Sequence, residues 1–168
     1  MKNLNLDIGF KGNVSVSAQA IPLQEGYLKL GGIVDPEATS ALSFGRVVSA
    51  ESAKPDVFKA GKASGNVVRG ISIWDDSIAA NAPAHPDSYL QGLPCAVLAH
   101  GFAFVNGWTK EAAGAIDPVI GAVVIFNTTS GAIEFLESGS SAPSGYEILE
   151  GASVKDVDED NGALVYLG

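Results

Sequence analysis

The chain has 168 residues, enough for one domain whose core needs neither disulfide nor metal. Apolar residues make up 46% of it, which excludes disorder, and no uninterrupted apolar run reaches the ~18 residues of a membrane span. Ten basic against 19 acidic residues leave a net charge of −9, and the basic residues are scattered singly, so neither nucleic acid nor an anionic membrane is an expected partner.

Charged residues are only 17% of the chain and 20 residues are glycine. Average domains hold about 25% and about 7% respectively. That balance suits a β-rich chain with many tight turns. The dominant period of the pattern is two. Val14, Val16, Ala18 and Ala20 alternate with Ser15, Ser17 and Gln19, which predicts a half-buried strand or an extended arm. Residues 27–34 read as a strand with a bulge or bend at Gly31-Gly32. Residues 42–49 read as another, with Phe44 and Val48 on one face, and residues 67–74 as a third, in which Gly70 allows a bend or a close neighbour. Residues 93–105 form the longest apolar stretch, divided at Gly101 into two strands or one bent one.

The C-terminal third predicts hairpins. Residues 119–126 and 132–136 flank a turn-rich link at 127–131, residues 146–149 form a short strand, and 153–157 and 163–167 flank an acidic turn ending in Asn161-Gly162. Residues 76–81 and 110–116 could each form one helical turn, while 50–66 and 79–92 read as surface loops. The expected architecture is all-β: a small β-sandwich or barrel-like domain over residues 21–168, preceded by an extended N-terminal arm over residues 1–20. The start of the chain lacks the apolar stretch and cleavage site of a secretory signal, so synthesis in the cytoplasm is expected.

Templates for chemistry fail one by one. There is no G-x-S-x-G, no phosphate-binding glycine loop, no H-E-x-x-H and no C-x-x-C. Asp156-Val-Asp158-Glu-Asp160 resembles the start of a calcium loop, but Asn161 stands where its glycine is required and Leu167 where its bidentate Glu is required. It reads as a solvated acidic hairpin. His100, inside an apolar run, reads as a structural histidine, and lone Cys95, among apolar neighbours, as a small buried hydrophobe. Trp74, Trp108, Tyr27 and Tyr89 could form a stacking platform for a sugar, although aromatics at sheet ends more often anchor cores and interfaces. No catalytic residue, cofactor or metal is expected.

Four segments, in order over about residues 40–136, resemble the bacteriophage structural cement protein family. They are Leu42-Ser-Phe-Gly-Arg-Val-Val48; Val68-Arg-Gly-Ile-Ser-Ile73 before Asp75-Asp76; Tyr89-Leu-Gln-Gly-Leu-Pro-Cys-Ala-Val-Leu98 leading into Gly101-Phe-Ala-Phe-Val105; and Asp117-Pro-Val-Ile-Gly-Ala-Val124 with Gly131-Ala-Ile-Glu-Phe135. Leu93 replaces the acidic residue more usual before the family's proline, and Phe102 stands where a basic residue often follows the glycine. The resemblance implies a non-enzymatic, all-β decoration protein without a cofactor, located on the outer capsid surface of the virion. Its implied partners are the major capsid protein and further copies of itself, as a dimer or trimer. Phe44 and Arg46 lie in the first matched segment, and with Phe10, Val14, Val16 and Trp108 they are the candidate interface residues. The alternative is a carbohydrate- or ligand-binding β module on a virion or cell surface.

Overall fold

A computed structural model describes residues 18–21, 27–75, 88–158, 160 and 162–168. Among them the chain is all-β, with β1 (Ala18–Ile21), β2 (Leu28–Val34), β3 (Leu42–Ser43), β4 (Val47–Ala50), β5 (Val57–Ala60), β6 (Val67–Ile73), β7 (Ser88–Tyr89), β8 (Pro94–Val105), β9 (Val123–Asn127), β10 (Ile133–Leu136), β11 (Tyr146–Ile148), β12 (Ala152–Val157) and β13 (Ala163–Leu167).

Five strands close on themselves in the order β8-β2-β5-β4-β6, with β6 returning to pair with β8. The β2–β5 pair is parallel and the other four are antiparallel. Closure removes the unpaired edges that a five-stranded sheet would otherwise present. It depends on a glycine. Gly70 sits at φ 140, and a Cβ there would stand 1.9 Å from the Leu98 carbonyl oxygen, so β6 meets β8 at a distance only a glycine permits. β8 is long enough to run beyond the barrel. Residues 94–100 pair with β2 inside the barrel, and past Gly101 the strand goes on to pair with β13 and β1.

The second layer is the three-stranded sheet β10-β9-β11. The turn between β9 and β10 ties it to the barrel. The Val47 N–H donates to the Gly131 carbonyl at 2.8 Å, and the Lys62 N–H to the Thr128 carbonyl at 2.7 Å. Arg46 bridges Ala132 through the backbone. A single cluster of buried side chains runs through both layers, including Val47, Phe58, Ile71 and Val97 of the barrel with Val124, Phe126 and Phe135 of the sheet. Burial of this continuous apolar volume is what favours docking the two layers.

Several sequence expectations are revised. Residues 42–49 do not form one strand: Phe44-Gly45 turns the chain, with Gly45 at φ 74, into β3 and β4. The bulge expected at Gly31-Gly32 lies instead at Leu28/Lys29. The 50–66 loop contains β5, and Ser88–Tyr89 in the 79–92 loop pairs with β3. Residues 119–122 form a turn ahead of β9, and 110–116 form no helix. Gly101 bends one continuous strand. β1 straddles the expected arm boundary and pairs with residues 102–105 of β8. Residues 1–17 and the helical turn expected at 76–81 lie outside the described residues.

Candidate interface surface

Of the six candidate interface residues, Phe10, Val14 and Val16 lie outside the described residues. Phe44 is only 2% exposed; its ring meets Tyr89 edge-on at 4.9 Å, and the Tyr89 hydroxyl donates to the Ile73 carbonyl at 2.7 Å. This pairing fixes the Phe44-Gly45 turn ahead of Arg46. Arg46 is half-buried. Burial lowers its guanidinium from the ordinary arginine value, an effect opposed by the Glu111 carboxylate. Trp108 is also half-buried, its ring edge-on to Phe135 at 6.0 Å.

The start of β10 brings Arg46 and the Trp108 loop together. Arg46 bridges Ala132, and the Thr109 N–H donates to the carbonyl of the next residue, Ile133, at 2.9 Å. One residue further on is Glu134, 0% exposed inside a strand in which every residue is buried. Its Oε1 accepts from the Thr109 hydroxyl at 2.8 Å and the Tyr146 hydroxyl at 3.1 Å. Its Oε2 accepts from the backbone N–H groups of Glu111 at 2.9 Å and Ala112 at 2.7 Å. A buried carboxylate is tolerated when such donors replace its water. Glu134 therefore holds the loop that presents Trp108, Lys110 and Glu111. Sequence reasoning passed over it, because an acidic residue alternating with Ile133 and Phe135 reads as the solvated face of a strand.

Four lysines are engaged in ion pairs of the chain itself. Lys59 pairs with Asp35 at 3.0 Å, Lys62 with Glu147 at 2.6 Å and Lys110 with Asp117 at 3.3 Å; Lys29 pairs with Asp75. In the acidic hairpin, the Asp158 carboxylate accepts from the Gly162 N–H at 2.6 Å and the Asp160 N–H at 3.0 Å, so it closes the turn. His100 lies edge-on to Tyr166. Burial pushes the Cys95 thiol up to about 12, which leaves it protonated and unreactive. Among the described residues, no group of three or more His, Cys, Asp or Glu is placed to hold a metal. Among the described residues, no helix is long and apolar enough to cross a membrane. Tyr89, one of the four aromatics of the sugar platform, is 1% exposed and cannot stack on a ligand.

What the outer surface does offer is apolar. Ile120 is 70% and Val119 50% exposed, in a turn that follows buried Pro118 and is fastened to β12 by the Gly121 N–H donating to the Val154 carbonyl at 3.2 Å. Ile33, opposite exposed Pro94 in the β2–β8 register, and the neighbouring Leu93 are exposed on the barrel. The readable signal for the turn was Asp117-Pro-Val-Ile-Gly121, an apolar pair between proline and glycine, a place where turns usually carry polar residues.

A family model described as Structural cement protein (E217 gp24/Pam3 gp6) matches residues 2–167. The chain belongs to the phage structural cement protein family. The match takes in the C-terminal hairpins that the four sequence motifs left out. No curated protein sequence matches this chain. A structural role in the capsid follows for this cement protein, and it accords with polar groups engaged in turns and ion pairs. The Val119-Ile120 turn holds the most exposed large apolar side chain among the described residues.

Proposed function

We propose that this cement protein decorates the outer face of a phage head, after synthesis in the host cytoplasm, and clamps neighbouring major capsid subunits. Cement copies also contact one another, as dimers or trimers. The family match over residues 2–167 carries the reading. The exposed apolar turn, on a chain of net charge −9, supports it. Apolar anchors ringed by polar residues are how stable protein contacts are built, and the acidic balance disfavours competition for packaged DNA. Many such contacts on a repeating lattice add through effective concentration, so each need not be strong. Arg46 and Trp108 contribute contacts, Phe44 supports the turn that presents Arg46, and the arm over residues 1–20, with Phe10, Val14 and Val16, adds a strand to a neighbour. The domain of residues 21–168 folds without the arm.

Purified protein added to heads that lack it should bind and raise their rupture temperature. Failure to bind would remove the reading. Deleting residues 1–20 should abolish decoration while cooperative unfolding persists; full decoration by the truncated protein would overturn the role of the arm.

A further inference from the structure

Where β4 pairs with β6, Val48 faces Gly70 and Ser49 faces Val68, so Arg69 is the extra residue of a bulge. Bulges re-aim side chains, and this one is pinned by the close approach of Gly70 to Leu98. Among the described residues, the Arg69 Nε is the buried side-chain polar atom without a hydrogen-bond partner. Its setting contrasts with Lys29, Lys59, Lys62 and Lys110, each of which has a carboxylate of its own chain. An orphaned, partly desolvated guanidinium destabilises the chain that carries it, and such a group calls for an explanation. Two residues away, Val67 is half exposed on the same strand.

We infer that Arg69 anchors the capsid contact by taking a carboxylate side chain of a capsid subunit in a two-point hydrogen bond, with Val67 as its apolar rim. The inference rests on the cement reading above. The Arg69 Nε has no hydrogen-bond partner in the folded chain, so turning the guanidinium outward costs that atom no polar contact and opens it to a partner. A planar carboxylate then meets Nε and one terminal nitrogen together, a geometry that the guanidinium fork matches and an ammonium cannot. A phosphate polyanion is disfavoured as the acceptor by the net charge of −9.

The test uses the full chain and heads lacking it. Arg69→Met keeps an unbranched stem as far as the Nε position and removes the orphan, so the melting temperature of the free protein should stay level or rise. Its affinity for heads should fall by about 30-fold, the scale of an interface hot spot. Arg69→Lys keeps the charge and should still lose most of that affinity. Wild-type binding should weaken with added salt more steeply than Arg69→Met binding. If wild type binds and Arg69→Met binds equally well, the anchor is wrong and the cement reading stands. A lowered melting temperature for Arg69→Met would show that Arg69 acts in folding, and would also overturn the inference. If wild type itself does not bind, the cement reading fails first.

Discussion

Truncating Glu134 to alanine removes the acceptor of four hydrogen bonds at once. The Thr109 and Tyr146 hydroxyls can rotate towards other acceptors or water, and exposed Glu111 lets water reach its N–H, but the N–H of buried Ala112 has no such substitute. Each buried donor left unmade costs about 1–3 kcal/mol. One such donor, with the net loss of the other three hydrogen bonds, gives about 3 kcal/mol. For a domain of this size that lowers the melting temperature by roughly 6–12 °C. Glu134→Gln separates geometry from charge. The amide oxygen can keep the two backbone donors, and its NH2 can face the two hydroxyls, which turn to donate elsewhere and accept from it. Its cost should be about 1 kcal/mol. Scanning calorimetry on both variants, with tryptophan emission to follow the loop, measures the difference. A Glu134→Ala shift under about 2 °C would refute the claim that this carboxylate holds the 109–112 loop. Equal losses for both variants would refute the assignment of hydroxyl and backbone donors to separate oxygens.

Other parts of the structure give independent tests. Gly70→Ala puts a Cβ into the Leu98 carbonyl at a positive φ and should abolish cooperative thermal unfolding, whereas Gly65→Ala, with nothing within 4 Å, should cost only about 1 kcal/mol of backbone strain. The Glu37 N–H and the Lys59 ammonium hold the Asp35 carboxyl below its ordinary 3.8. Its stabilising contribution is therefore complete above that value and is lost as pH falls through the lower folded-state value. The stability gap between wild type and Asp35→Asn in urea unfolding should accordingly shrink as pH falls below 3.8. With its thiol pushed from 9.0 to about 12, native Cys95 should react with a thiol reagent at pH 8 about a thousandfold more slowly than unfolded chain, and rapid native labelling would contradict its burial.

The hydrophobic period of two, the glycine turns and the apolar run through residues 93–105 were enough to make this chain all-β and to place most of its strands. They carry strong local signals: β13, with Ala163, Val165 and Leu167 buried, alternates as its sequence says. The absence of familiar catalytic motifs and the ordered cement segments were legible in the same way. Short elements were not. β5 is four residues that pair in parallel with a distant strand, and β3 and β7 are two residues each, so their stability comes from partners far along the chain. Phe44 shows the limit at the candidate interface, since a phenylalanine reads alike as anchor and as core until Tyr89 is seen packed against it.

Length, low charge and many glycines determined a single kind of molecule: a β-rich chain that bends often, with a net charge of −9 that disfavours nucleic acid. Tertiary structure decided how that chain closes and which of its groups meet the outside. The five-stranded ring exists because Gly70 lets β6 touch β8, and Glu134 became a buried fastener because the 109–116 segment covers the edge of β10 that β9 leaves unpaired. Both are consequences of non-local pairing. Local sequence fixes the direction and period of a strand, but only the partner strand decides whether a given side chain faces water, core or another protein.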